Sequence, residues 1–247
     1  MKSLRNVRLL LGFDGSAYHG WQIQGQQITI QGEVQQAIGK ITGEQTSLVG
    51  SGRTDAGTHA RGYVANFTTS ARIPAASLVR ALNSVLPADI RVLSARVVSA
   101  DFHARRSAHS KIYRYQIYRG AILPPHLARE HFHYPYPIDL SIMEQAAKLF
   151  EGTRDFASFA AKGGGRKNTV RQIYSCRLRG VGHRLVFTVE GNGFLHHMVR
   201  NMAGTLLEVG RGQLTLSEFE ALFAARDRTR AGFTAPAHGL ILIKVNY

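Results

Sequence analysis

The chain has 247 residues, 44% of them hydrophobic, enough to build one large or two modest cores, which excludes disorder over the whole length. No apolar run approaches the ~18 residues needed to span a bilayer, the stretch Leu9-Leu10-Leu11 is broken by Arg8 and Gly12 and so makes no signal-peptide core, and Cys176 is alone, so no disulfide can form within the chain. Those features read as a soluble cytoplasmic protein, and a formal net charge of +15 calls for a polyanionic partner, nucleic acid first and an anionic membrane surface second.

Residues 6–13 form a β-prone apolar run that ends at the turn signal Asp14-Gly15-Ser16. Ile30, Val34, Ala37, Ile38 and Ile41 recur at helical spacing, with Gly43 where a helix should stop. Residues 48–50 and 63–69 read as strands, 74–86 as a helix with Pro74 in its first turn, and 90–98 as a strand. Further on, 112–118 is a strand rich in aromatics, 138–150 is amphipathic, and 170–179 and 185–190 are strands joined through Gly180 and Gly182. Helices over 194–209 and 217–225 precede a last strand over 240–245. This order implies an α+β protein of two halves, 1–105 and 106–247, with mainly antiparallel strands.

The 194–209 segment carries two apolar stripes. Phe194, Met198, Met202, Leu206 and Val209 make one, while His197, Arg200, Gly204 and Leu207 lie roughly opposite. A helix covered on both sides is buried or lines a cleft. Gly204 then admits a neighbouring backbone, and Arg200 needs an anion, because an unpaired buried charge is very costly.

The least ordinary segment runs from Gly50 to Ala60. Small residues and glycines surround Arg53, Asp55 and His59 with no hydrophobic periodicity, which places a loop between two strands where a ligand can approach closely. Arg53 beside Asp55 should favour the carboxylate. An Asx-type turn with a surface ion pair accounts for the same spacing equally well.

Five segments together resemble one family. Gly52-Arg53-Thr54-Asp55-Ala56-Gly57 with His59 resembles the catalytic motif of the tRNA pseudouridine synthase A family. Residues 13–22, Asp101-Phe102-His103-Ala104-Arg105, Lys111-Ile112-Tyr113-Arg114-Tyr115 and His196-His197-Met198-Val199-Arg200-Asn201 are similar to its opening, central and C-terminal segments, in family order. Thr58 stands where the family usually has valine, outside the acid's immediate neighbours. The resemblance implies an isomerase that converts uridine to pseudouridine at tRNA positions 38, 39 and 40 in the anticodon stem-loop. It implies two ferredoxin-like (RRM-like) halves sharing an extended, mainly antiparallel sheet with helices on one side and the active cleft between the halves. It also implies a homodimer, with one tRNA contacting both protomers.

Roles carry over by position. Asp55 matches the essential carboxylate, Arg200 its ion-pair partner, Arg53 an arginine that helps flip the base, Tyr113 the ring that stacks on uracil, and Leu240 an apolar residue near the uracil. His197, Arg105, Arg106, Lys111 and Arg114 are further RNA-contact candidates, as are Lys162, Arg166 and Lys167 on a glycine-rich loop. Uracil must leave C1′, turn, and rejoin through C5. That reaction is redox-neutral and cleaves no phosphate, so it calls for no cofactor and no metal.

Eleven histidines raise the metal question, with His131 and His133 on one strand face and His126 nearby. No cysteine cluster, HExxH or carboxylate at ligand spacing accompanies them. Nor is there a Walker loop, a GxGxxG after a strand, or a GxSxG elbow. Two other readings stand beside the isomerase. One is a non-catalytic RNA-binding chaperone; the other is a metal-dependent nuclease with Asp55 and His59 as ligands.

Overall fold

The computed structural model describes residues 4–161 and 168–247, and the chain divides into two compact units, Met1–His109 with Leu242–Tyr247, and Ser110–Ile241. The fold is mixed α+β, and its strand pairs are mostly antiparallel. Among the described residues no helix is long and apolar enough to cross a membrane.

In the first unit, β1 (Arg5–Phe13) leads into α1 (Ile30–Thr42), short β2 (Val49–Gly50), β3 (His59–Thr69), α2 (Ala75–Val85) and β4 (Ile90–Val98). Thr29 accepts from Gly32 N–H to start α1, and Gly43 ends it at φ 72°, as its position forecasts. Pro74 caps α2 rather than sitting in its first turn. The strand order is β4-β1-β3, with β2 on β3. Alternation along β1 turns Val7, Leu9, Leu11 and Phe13 to the core that Ile30, Val34, Ile38, Leu78 and Leu82 fill from the helices. Asn6, Arg8 and Leu10 point to the other face. There Asn6 and Asn66 hold the segment after β4: Asn6 Nδ2 donates to Ser99 O and Phe102 O, and Asn66 Oδ1 accepts from Ala104 N–H.

In the second unit come β5 (Ser110–Tyr118), β6 (Phe132–His133), α3 (Leu140–Lys148), β7 (Gly152–Asp155), β8 (Val170–Val181), β9 (Arg184–Gly191), α4 (Met198–Gly210) and α5 (Leu216–Ala225). The order is β5-β9-β8-β7, with β6 parallel to β5. Phe150, Phe156, Phe159, Phe219 and Phe223 pack ring on ring in its core. Thr215 and Glu218 close a capping box on α5. The last strand, β10 (Leu240–Asn246), pairs with β3, which returns residues from Leu242 onward to the first unit.

α4 is four residues shorter at its start than its apolar spacing forecasts. His197 adopts a left-handed conformation at φ 59°, ψ 2°, so Phe194, His196 and His197 lie before the helix. The stripe assigned to Phe194 therefore begins at Met198. Gly204 behaves as expected: an added Cβ would stand 1.8 Å from Phe233 O.

Candidate active site

The loop carrying Asp55 is gripped by the residues that follow β1. Trp21 N–H donates to Thr54 O at 3.3 Å, and Gly57 N–H donates to Tyr18 O at 3.3 Å. Gly20 sits at φ 81° with its α-carbon so close that a Cβ would lie 2.3 Å from Thr54 O, which no side chain tolerates. Below the loop, the Tyr63 hydroxyl hydrogen-bonds Gly52 O, and its ring stacks on Trp21 at 4.1 Å. Within the loop, Thr58 N–H donates to Asp55 O at 3.1 Å. Two segments that look unrelated along the chain thus form one rigid cradle.

His59, 2% exposed, anchors the far side of this cradle. Its Nδ1 lies 3.1 Å from both Gly15 N and Asp14 Oδ1. With its hydrogen on Nε2 the ring accepts there from Gly15 N–H; with a hydrogen on Nδ1 it donates to Asp14 Oδ1 instead. Outside the loop, Asp14 N–H donates to Asp89 O at 2.9 Å, and the Tyr18 hydroxyl donates to Asp89 Oδ1 at 2.6 Å. Burial, then the Asp89 hydrogen bond, pushes the Tyr18 phenol well above its ordinary range.

Asp55 itself is half-buried at this cradle. Arg53 is exposed, and Nε donates to Gln22 Oε1; among the described residues that amide, not the Asp55 carboxylate, is its partner. Among the described residues Arg53 therefore makes no ion pair with its sequence neighbour Asp55.

The second unit carries Tyr113, Arg200 and Leu240. Tyr113 lies on β5 opposite Val189 and is 8% exposed, with its ring edge-on to Phe194 at 5.1 Å and 84°. Tyr115, two residues along the same face, is fully buried and donates to Pro236 O at 2.7 Å. Burial raises its phenol far out of the ordinary range, and the nearby Arg200 charge offsets part of that. Arg200, in the first turn of α4, donates from Nε to Ala235 O at 2.7 Å, which ties the helix to the segment entering Leu240. Leu240 is buried, and Gly239 before it packs on the Tyr115 ring.

The remaining basic candidates scatter. Lys111 is half-buried on the Tyr113 face, and Arg114 on the opposite one. Arg105 and Arg106 are exposed, and their backbone N–H groups both donate to His103 Nδ1, at 3.1 and 3.2 Å. His197 is half-buried, its ring 3.9 Å from that of His196. Lys162, Arg166 and Lys167 lie outside the described residues. Of the histidines weighed for a metal, His131 Nδ1 lies 3.3 Å from Leu127 O and His133 Nε2 lies 2.8 Å from Gly120 O, so each ring already faces a backbone carbonyl. Sequence reasoning missed Phe194 as a support for Tyr113; the turn signal Gly191-Asn192-Gly193 just before it was the available hint.

A family model described as tRNA pseudouridine synthase matches residues 11–105 and 146–247. Proteins named tRNA pseudouridine synthase A are similar over nearly the whole chain. That of Caldicellulosiruptor saccharolyticus is 43% identical over 99% of this chain and 100% of its own. That of Lacticaseibacillus casei is 44% identical over 99% and 100%, and that of Moorella thermoacetica 46% over 98% and 99%. With its matched segments spanning both units and its relatives covered end to end, the chain belongs to the tRNA pseudouridine synthase family.

Proposed function

We propose that this protein isomerises uridine to pseudouridine at positions 38, 39 and 40 of the tRNA anticodon stem-loop, with Asp55 as the reacting carboxylate. The observation that carries the reading is the cradle around Asp55. A carboxylate that must meet C1′ of a flipped nucleotide has to be held within a fraction of an ångström, and the contacts from Tyr18, Gly20 and Trp21 fix the backbone on both sides of it. The acid can attack C1′ as a nucleophile or take the proton from C2′; both routes require it ionised and shielded from water.

Tyr113 offers an aromatic face that replaces the stacking lost when uracil leaves the helix, worth ~1–3 kcal/mol. Arg200 serves the carboxylate as its cation, Arg53 assists extrusion, and Leu240 closes the apolar side of the base. His197, Arg105, Arg106, Lys111, Arg114, Lys162, Arg166 and Lys167 contribute contacts to the RNA. Phosphate contacts from such residues offset the few kcal/mol that extrusion costs. The working form in this reading is a cytoplasmic homodimer, with one tRNA touching both protomers.

The test is position-resolved pseudouridine mapping of tRNA exposed to the wild-type protein and to Asp55→Asn. The expected result is modification at positions 38, 39 and 40 by the wild type, none by the variant, and retained RNA affinity in both. Full activity of Asp55→Asn would remove the carboxylate from the mechanism. RNA binding by the wild type without any modification would leave the chaperone reading instead.

A further inference from the structure

Arg8 and Arg96 are direct cross-strand partners in the β1–β4 pair, on the face of β1 turned away from its helices. Like charges placed opposite one another destabilise a strand pair. Among the described residues neither guanidinium has a carboxylate at ion-pair distance. What holds Arg8 is aromatic. Its guanidinium carbon lies 4.8 Å from the Tyr247 ring centre and 5.8 Å from that of Phe102, and those rings lie 5.0 Å apart. Tyr247 is fixed in turn by its hydroxyl, which donates to Ala104 O at 2.6 Å. An aromatic shelf attracts a guanidinium through its face and leaves the N–H edges available to an acceptor.

Between the two arginines lies a cavity of about 100 Å³, lined by Arg8, Leu10, Ser94 and Arg96. Two planar N–H forks and a hydroxyl, with no acidic group in the lining, match a tetrahedral oxyanion. The segment bearing exposed Arg105 and Arg106 is pinned to this same face by Asn6 and Asn66, which extends the basic surface beyond the cavity. Arg8 lies five residues back from Phe13 along β1, about 17 Å at the usual rise per strand residue, so the cavity is remote from the end of β1 that leads to the residues gripping the Asp55 loop.

We propose that Arg8 and Arg96 form a shared site for one phosphodiester of the RNA backbone, remote from the nucleotide that reacts. The site supplies binding energy from an unreacting part of the substrate, which helps to offset extrusion of the target base. It rests on the reading of this protein as one that acts on tRNA.

The test measures binding of a tRNA transcript by the full chain at several salt concentrations, for wild type, Arg8→Gln, Arg96→Gln and the double variant. Each single change is expected to weaken binding about tenfold, as loss of a charge-assisted hydrogen bond does. The log–log salt slope should become shallower by about one. Because one phosphate is shared, the double variant should be little weaker than either single. Arg96→Gln touches neither aromatic ring, so its effect cannot be ascribed to a disturbed Tyr247 shelf. Arg8→Lys keeps the charge but not the fork, and should recover only part of the loss.

Wild-type affinity and slope in Arg96→Gln would overturn the proposal. So would unchanged RNA affinity in the variants combined with a thermal stabilisation by inorganic phosphate, at constant ionic strength, that requires both arginines; that result would mark a small-anion site. If the wild type binds tRNA but forms no pseudouridine, the functional reading fails while these affinities still decide the role of the arginine pair.

Discussion

The Tyr18 hydroxyl donates to Asp89 Oδ1 at 2.6 Å while the carbonyl of the same residue accepts from Gly57 N–H at 3.3 Å. One residue therefore links the turn before β4 to the loop that carries Asp55. Its ring is 6% exposed, so the bond is formed where losing it is costly. Tyr18→Phe keeps the ring and removes the donor. The expected loss is about 1.5–3 kcal/mol, typical of a hydrogen bond to a charged acceptor. Turnover of tRNA should fall more than tRNA affinity, since the variant loosens Asp55 and leaves the basic surface alone. Urea unfolding and single-turnover kinetics check both, and wild-type values in each would show that the link is dispensable.

The same phenol sets an alkaline limit. Burial and the Asp89 bond raise the folded-state pKa of Tyr18 above its ordinary value. The neutral form is the one that fits, so this contribution to stability is complete below the unfolded value near pH 10 and is lost progressively as pH rises beyond it. Tyr115 and Tyr247 shift the same way through burial. Wild type should therefore lose stability from about pH 10 upward, and Tyr18→Phe should lose less over the same range. Unfolding midpoints measured across that range give the comparison; parallel curves would contradict the assignment.

Tyr113 separates stacking from proton transfer. Its ring meets Phe194 edge-on, and Tyr113→Phe preserves that contact. If uracil needs only an aromatic face, Tyr113→Phe keeps pseudouridine formation, while Tyr113→Ala loses the ~1–3 kcal/mol that base stacking supplies. The Phe variant is expected to remain active and the Ala variant to fail. An inactive Phe variant that still binds tRNA would assign the hydroxyl a proton-transfer role.

Much of this was legible in the sequence, and the gaps have physical causes. Helical spacing with Gly43 located α1 to the residue, and the two-residue alternation of β1 sorted core from surface. The Asp55 loop stood out because glycines and charges displaced any apolar period. What spacing could not show was that residues 14–21 grip that loop, since the contacts to Thr54 and Gly57 are backbone to backbone and leave no side-chain pattern. Nor could proximity in sequence reveal that Arg53 turns to Gln22. The start of α4 was misplaced because Phe194 and His197 continue the apolar and polar stripes of the helix; only the backbone at His197 breaks it.

His197 holds a left-handed conformation at φ 59°, which costs an ordinary L-residue roughly 1–2 kcal/mol. Glycine adopts it freely but loses more entropy on folding, about 0.5–1 kcal/mol. His197→Gly should thus leave stability nearly unchanged, while His197→Val, β-branched and ill-suited to positive φ, should lower it clearly. If the imidazole serves the RNA, both variants lose tRNA affinity although only one is unstable. Thermal unfolding alongside a binding titration distinguishes the outcomes, and a fully active Gly variant would reduce His197 to a capping role.

Gly204 tests how α4 is held. An added Cβ would stand 1.8 Å from Phe233 O and 2.9 Å from its carbonyl carbon, and neither atom is the end of a flexible side chain. The strand of chain it would displace runs on through Ala235, whose carbonyl accepts from Arg200 Nε. One turn earlier on the helix, buried Asn201 accepts from Thr234 Oγ1 at 2.7 Å and from Arg228 Nη2 at 3.0 Å, so the segment cannot simply swing away. Gly204→Ala gains helix propensity of about 1 kcal/mol, yet the clash should outweigh it and leave the protein less stable by at least the 1–3 kcal/mol usual for overpacking. Because the displaced residues include the Arg200 anchor, activity should fall together with stability. A more stable and fully active Gly204→Ala would mean that the 233–235 segment yields freely and that Arg200 needs no such anchor.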